Sequence, residues 1–231
     1  ATLAFGIASH AEGYLTTSSG AYSHAEGRET RATGDLSHAE GYATITPGLY
    51  SHAEGNQTSA SGNYSHAEGG LARSTGVYSH AEGQSTLASA TGSHAEGTTT
   101  QATGVYSHAE GGATFAQAGF SHTEGYGTIV SSSAIGGHAE GLSTTVRGQY
   151  AHSEGAATLA IGAYSHVEGY NTTSSINANY AHAEGIGTIA DGNYQHVMGA
   201  YNSSNTSPSS FIIGNGTGAS TRQKFSICFR F

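Results

Sequence analysis

The sequence predicts an all-β chain wound as a parallel solenoid of 14-residue coils. Three observations predict it. First, histidine is periodic: fourteen histidines run from His10 to His196, the first nine fall 14 residues apart, and the remaining gaps are 16, 14, 14, 16 and 14. A fixed period held over most of a chain is the signature of a repeat architecture. Second, each histidine sits in Ser-His-Ala-Glu-Gly or a variant of it, as in Ser23 to Gly27. Third, glycine punctuates each coil twice. With histidine as position 0, position +3 is glycine in all fourteen coils and position −4 in ten, the others being Ala90, Ala118, Ala134 and Ala178. Glycine supplies the positive φ or the crowded backbone that tight corners need.

The segments between these corners are too short for helices, and they alternate in character. Side chains on a strand point to opposite faces in turn. Tyr22, His24 and Glu26 are therefore expected on one face, with Ser23 and Ala25 on the other. In the second segment Thr30 and Ala32 are expected inside, with Glu29, Arg31 and Thr33 outside. Position +6 is threonine in twelve coils and shares its parity with the interior alanines. Each coil then encloses a thin interior of Ala, Ser and Thr, and coils stacked at ~4.8 Å align equivalent residues in ladders.

The two 16-residue coils follow His122 and His166, and their extra residues fall in 129–134 and 174–179, as bulges or short loops. The repeat is assigned to residues 1–200 and a transition and closing β-segment to 201–231. Ser210 to Gly214 aligns with Ser-His-Ala-Glu-Gly, placing Phe211 at the histidine site and Ile213 at the glutamate site; one coil earlier Met198 replaces glutamate. At the end, Phe225, Ile227, Phe229 and Phe231 alternate and predict a further strand.

Composition narrows the chemistry. The formal charge of −9 argues against a nucleic-acid partner. Thirteen of the 16 acidic residues are the motif glutamate, and full histidine protonation would give −9 + 14 = +5, so charge is a pH-sensitive property of the repeat. Cys228 is the single cysteine, which leaves no disulfide framework and no cysteine zinc site. No apolar run is long enough for a membrane-spanning helix and no signal peptide is visible, so no membrane insertion by this segment is expected. The chain starts at Ala1 and is taken as a fragment.

Ser, His and Glu in a row suggest a catalytic triad. Alternation argues against it, because Ser23 and His24 face opposite sides, and fourteen copies are not one unique constellation. The spacing is not His-Glu-x-x-His either. No enzymatic activity and no cofactor are expected. A histidine ladder has ligand chemistry, but ions ~4.8 Å apart would repel, so metal is expected at occasional coils at most. Ice binding by a threonine ladder is disfavoured by the interior parity of position +6.

The pattern Gly-x-x-Ser-x-Ala-x-Gly-x-x-Thr-x-Ala resembles the head repeat of YadA-like trimeric autotransporter adhesins, and it spans nearly the whole chain. That repeat reads Ser-Val-Ala-Ile-Gly, and Ser210 to Gly214 is the copy nearest to it. Phe211 to Thr217 also looks like a segment that closes such repeats in phage tail fibres. The resemblance implies a left-handed parallel β-roll, three chains in a trimeric rod, and an extracellular place on a virion tail fibre or a bacterial surface. It implies a host or cell-surface receptor, glycan or protein, as the partner. The departure is that the family's Val and Ile are His and Glu here.

A roll with an Ala, Ser and Thr interior buries little apolar area against its backbone entropy and is expected to need partners. The expected trimer-interface ladder is His24, Glu26, His38, Glu40, His52, Glu54, His66, Glu68, His80, Glu82, His108, Glu110, His152 and Glu154, continued by Met198, Phe211 and Ile213. Stacked carboxylates repel, and a histidine beside each allows charge-assisted hydrogen bonds. Such pairing would raise histidine pKa values and depress those of glutamate. The bland alternative is an exposed, solvated ladder. The varied opposite face supplies the receptor-contact candidates Arg73, Phe115 and Arg147.

Overall fold

The structure, a computed structural model, describes residues 1–228, and from position 224 onward the backbone alone. The chain is an all-β parallel solenoid. Each of the fourteen histidines opens one strand, and each coil carries a second, two-residue strand; the two sets belong to separate sheets. The chain divides into two compact units, Ala1–Ala113 and Thr114–Phe231.

In the first unit the histidine strands, such as His24–Arg28 and His66–Gly70, run five residues. They pair parallel and in register, His24 with His38, Ala25 with Ala39 and Glu26 with Glu40. The second strands, such as Arg31–Ala32 and Arg73–Ser74, pair in the same way. Between the sheets lie Ala25, Ala32 and Ala39, then Ala53, Ala60 and Ala67, all fully buried. The threonine column at +6 is buried too, as Thr30, Thr44 and Thr58 show. The predicted interior is the observed one.

The corners differ from the expectation. Tyr22 has φ +57° and Glu29 has φ +62°. Both are turn residues in the left-handed region, so strand alternation does not run through them. The strand starts at His24, and the tyrosine does not share its pleat. Left-handed φ on a non-glycine residue costs ~1–2 kcal/mol. Inter-coil hydrogen bonds offset this: the Tyr22 amide donates to the Ile7 carbonyl at 2.8 Å and the Glu29 amide to that of Tyr14 at 2.8 Å. Tyr22 and Glu29 are seven residues apart, so each 14-residue coil is two half-coils of one plan.

Position +3 is glycine throughout for two reasons at once. Gly27 has φ +102°, and a β-carbon there would stand 2.2 Å from the Gly41 carbonyl oxygen of the next coil. Serine at −1 has a role that alternation alone did not give. Its hydroxyl closes the corner by donating to the carbonyl three residues back, as in Ser23 to Gly20 at 2.7 Å and Ser65 to Gly62 at 2.6 Å.

In the second unit the histidine strands shorten, as in His138–Ala139, and the interior grows to include Val130, Val146, Val167, Val197 and Ile212. The extra residues of the long coils form tight turns where they were expected. The Ala134 amide bonds the Ser131 carbonyl at 2.9 Å, and the Ala178 amide that of Ser175 at 3.0 Å. Near the end polar side chains fill the interior. Asn202 exchanges two bonds with the Ile189 backbone, at 2.7 and 2.9 Å, and Gln195 accepts from the Asp191 amide at 2.9 Å. Strand His196–Ala200 pairs parallel with Ser210–Asn215, matching His196 to Phe211 and Met198 to Ile213 as predicted. Lys224–Cys228 then adds antiparallel to Ser210–Asn215, the strand expected from the alternating tail. Phe229 and Phe231 of that expectation lie outside the described residues.

Candidate functional site

The most regular surface in each unit is the strip of His and Glu that the strand pleat turns outward. In-register pairing fixes its geometry, because every histidine sits over the histidine of the coil below. From His24 to His108 the imidazoles stack with centroids 4.7–5.0 Å apart. From His122 to His196 the spacing is 4.6–4.8 Å. The strip is half-buried even in one chain: His66 and Glu68 side chains are 35% and 34% exposed.

Histidine and glutamate of one coil sit side by side. His24 Nε2 lies 3.7 Å from Glu26 Oε2, and the equivalent distances are 3.8 Å for His38 and Glu40, 4.0 Å for His52 and Glu54, 3.6 Å for His66 and Glu68, 3.8 Å for His80 and Glu82, and 3.7 Å for His108 and Glu110. These are ion-pair distances without hydrogen-bond geometry. In the second unit the partner changes. Glu154 lies 4.0 Å from His152 and 3.6 Å from His166, and beyond it each histidine reaches to the coil before, His182 to Glu168 at 3.3 Å and His196 to Glu184 at 3.2 Å. These last two are hydrogen bonds.

The titration of the strip reverses part of the expectation. Burial, helped by the charge of neighbouring imidazoles, lowers the pKa of His38, His52, His80 and His138, and brings His152 down to about 4. Adjacent carboxylates act in the other direction and are outweighed. The glutamates divide. Hydrogen bonding to Glu54 and Glu26, then burial, raises Glu40 to about 7, and bonding to Glu124 and Glu154 raises Glu140 to about 7. The same sharing lowers Glu26 through Glu40 and Glu168 through Glu154. Carboxylates on adjacent rungs cannot all ionise, so some hold a proton between them. Within one chain, therefore, His38, His52, His80, His138 and His152 are lowered, and glutamates move both ways.

Beside this strip runs another. Tyr50, Tyr64 and Tyr78 stack at 5.0 Å, and Tyr150, Tyr164, Tyr180 and Tyr194 at 5.0–5.3 Å. These rings project from the left-handed corners into solvent. Their positive φ was not legible from alternation; the signal was their fixed place two residues before histidine. Ser23 turns its hydroxyl inward to Gly20 while His24 faces out, so the two do not meet.

Met198, Phe211 and Ile213 continue the strip at the His and Glu positions, and Phe211 meets His196 edge-on at 5.2 Å. The receptor candidates lie elsewhere. Arg73 and Phe115 are on strands of the other sheet, Arg73 exposed and Phe115 half-buried, and Arg147 follows strand Thr145–Val146. Arg73 belongs to the first unit, and Phe115 and Arg147 to the second.

No family model matches the chain, and no curated protein matches it. No helix among the described residues is long and apolar enough to cross a membrane, which leaves β-barrel spans unaddressed.

Proposed function

We propose that this chain is a non-enzymatic segment of a trimeric fibre or adhesin head, a left-handed roll in which the His-Glu strips of three chains face one another. The observation that carries the reading is the half-buried, in-register strip together with its change to Met198, Phe211 and Ile213. Apolar residues take over positions that are partly open in a single chain, Ile213 being 37% exposed, and such positions fit a covered face. The thin Ala, Ser and Thr interior supports the same reading, since it buries little apolar surface per coil. Facing strips also explain why His and Glu hardly vary while the opposite sheet does.

The role is extracellular: the repeat holds surfaces out for attachment to a receptor, glycan or protein, with Arg73, Phe115 and Arg147 as contact candidates. A phage tail fibre is preferred to a bacterial adhesin on the closing segment Phe211 to Thr217. The alternative of ice binding is disfavoured because the regular threonine column is interior. The deciding experiment is the mass in solution by light scattering. A three-chain mass supports the proposal and a monomer overturns it. A membrane-anchor barrel or a fibre chaperone domain downstream in the full-length gene separates adhesin from fibre.

A further inference from the structure

We propose that the His-Glu strip binds late first-row divalent metal ions of the zinc and nickel class, each held by imidazoles of two successive coils and the carboxylate between them. One ring nitrogen of His66, a Glu68 carboxylate oxygen and one ring nitrogen of His80 lie within 4.8 Å of one another, and the same grouping recurs at His80, Glu82 and His94. Single-chain geometry is sufficient, so the proposal does not rest on the trimer.

A second observation points to a ligand. The Nε2 atoms of His24, His38, His52, His66, His80 and His94 are shielded from solvent and make no hydrogen bond. A shielded polar atom that makes no hydrogen bond is costly, and imidazole nitrogen is the commonest metal ligand. An approach exists as well. Glu26, Glu40, Glu54 and Glu68 line, together with the +3 glycines, an open groove of about 850 Å³ on the carboxylate side of the strip. Two nitrogens and one oxygen suit zinc, nickel, cobalt or copper, whereas magnesium and calcium prefer all-oxygen sets. The remaining positions fall to water.

The repeat also sets a ceiling. His80 belongs to two overlapping groups, and one Nε2 cannot serve two ions. Repulsion between ions on adjacent rungs acts in the same sense. Fourteen histidines taken two at a time allow at most seven ions per chain.

The test is equilibrium dialysis of the metal-stripped full chain against Zn²⁺ near neutral pH in a large excess of Mg²⁺. Saturable uptake of several ions, no more than seven per chain, is the expected result. Replacing His66, His80 and His94 together by Gln should lower the uptake by one or two ions. If that variant misfolds, Co²⁺ added to the unaltered chain serves instead, its visible spectrum showing the strong ligand-field bands of a low-coordinate, nitrogen-containing site. No uptake against Mg²⁺, a stoichiometry above seven, uptake unchanged in a folded triple variant, or the weak bands of six-coordinate Co²⁺ would each overturn the proposal. Each of these readouts is independent of the oligomeric mass that tests the trimer.

Discussion

Gly137 stands where most coils have serine, and Val130 occupies the space that serine would need. A β-carbon on Gly137 would come within 3.0 Å of Val130 Cγ1 and 2.9 Å of Val146 Cγ1. Several other coils carry a smaller residue at the valine position, as at Ala32, Ser18 and Ala88, and are followed by serine at −1. At this place bulk on one strand, Val130, stands beside the missing side chain of Gly137 on the other. Gly137→Ser is expected to destabilise the second unit by ~1–3 kcal/mol through overpacking. The same change should cost less in a Val130→Ala, Val146→Ala background. A double-mutant cycle by urea melts measures that coupling, and additive effects would contradict it.

The invariant +3 glycine permits a sharper prediction. Gly55 has φ +104°, and a β-carbon there would lie 2.2 Å from the Gly69 carbonyl oxygen. Gly55→Ala meets both strain and a backbone clash, and is expected to cost ~2 kcal/mol or more. Alanine occupies −4 in four coils, but a β-carbon on Gly62 would lie 1.9 Å from the Gly76 carbonyl oxygen, so Gly62→Ala also clashes and is milder only by the absence of positive-φ strain. Equal melting temperatures for the two variants would refute the distinction.

Ser65 offers a smaller effect. Its buried hydroxyl donates to the Gly62 carbonyl at 2.6 Å. Ser65→Ala is expected to cost ~1 kcal/mol. Because each coil touches its neighbours, amide exchange should speed up around 62–66 while distant coils stay protected. Uniform loss of protection along the chain would be the contrary result.

Stability should peak in mildly acidic solution. His152 is held at about 4 against an ordinary 6.5, so as pH falls the unfolded chain takes up protons first; its contribution is full above 6.5 and lost as pH falls through 4. Glu40 is raised to about 7 from 4.5, so its contribution is full below 4.5 and lost as pH rises through 7. The two together give a plateau between 4.5 and 6.5 with a fall on either side. Glu40→Gln should reduce the alkaline fall, to which Glu140 still contributes, and leave the acid fall in place. Thermal melts across the range check this, and an alkaline limb indifferent to the substitution would count against proton sharing on the strip.

The coil, its period, its glycine corners, its interior column and the register of Phe211 under His196 were all legible in the residues. Each is enforced locally. A fixed repeat must stack in register, a strand must alternate, and only small residues fill so thin a space. The strip of His and Glu was legible for the same reason, as the outward parity of His24 and Glu26. What the residues did not disclose needed the third dimension. The left-handed φ of Tyr22 and Glu29 depends on hydrogen bonds to the coil below, at Ile7 and Tyr14. The lowered His152 and raised Glu40 depend on how many like groups stand one rung away, which a motif read alone cannot count. By itself the sequence determined the solenoid and its faces, because both follow from periodicity. The tertiary structure decided which atoms on those faces go without a hydrogen bond and which carboxylates share protons, because both depend on distances between coils.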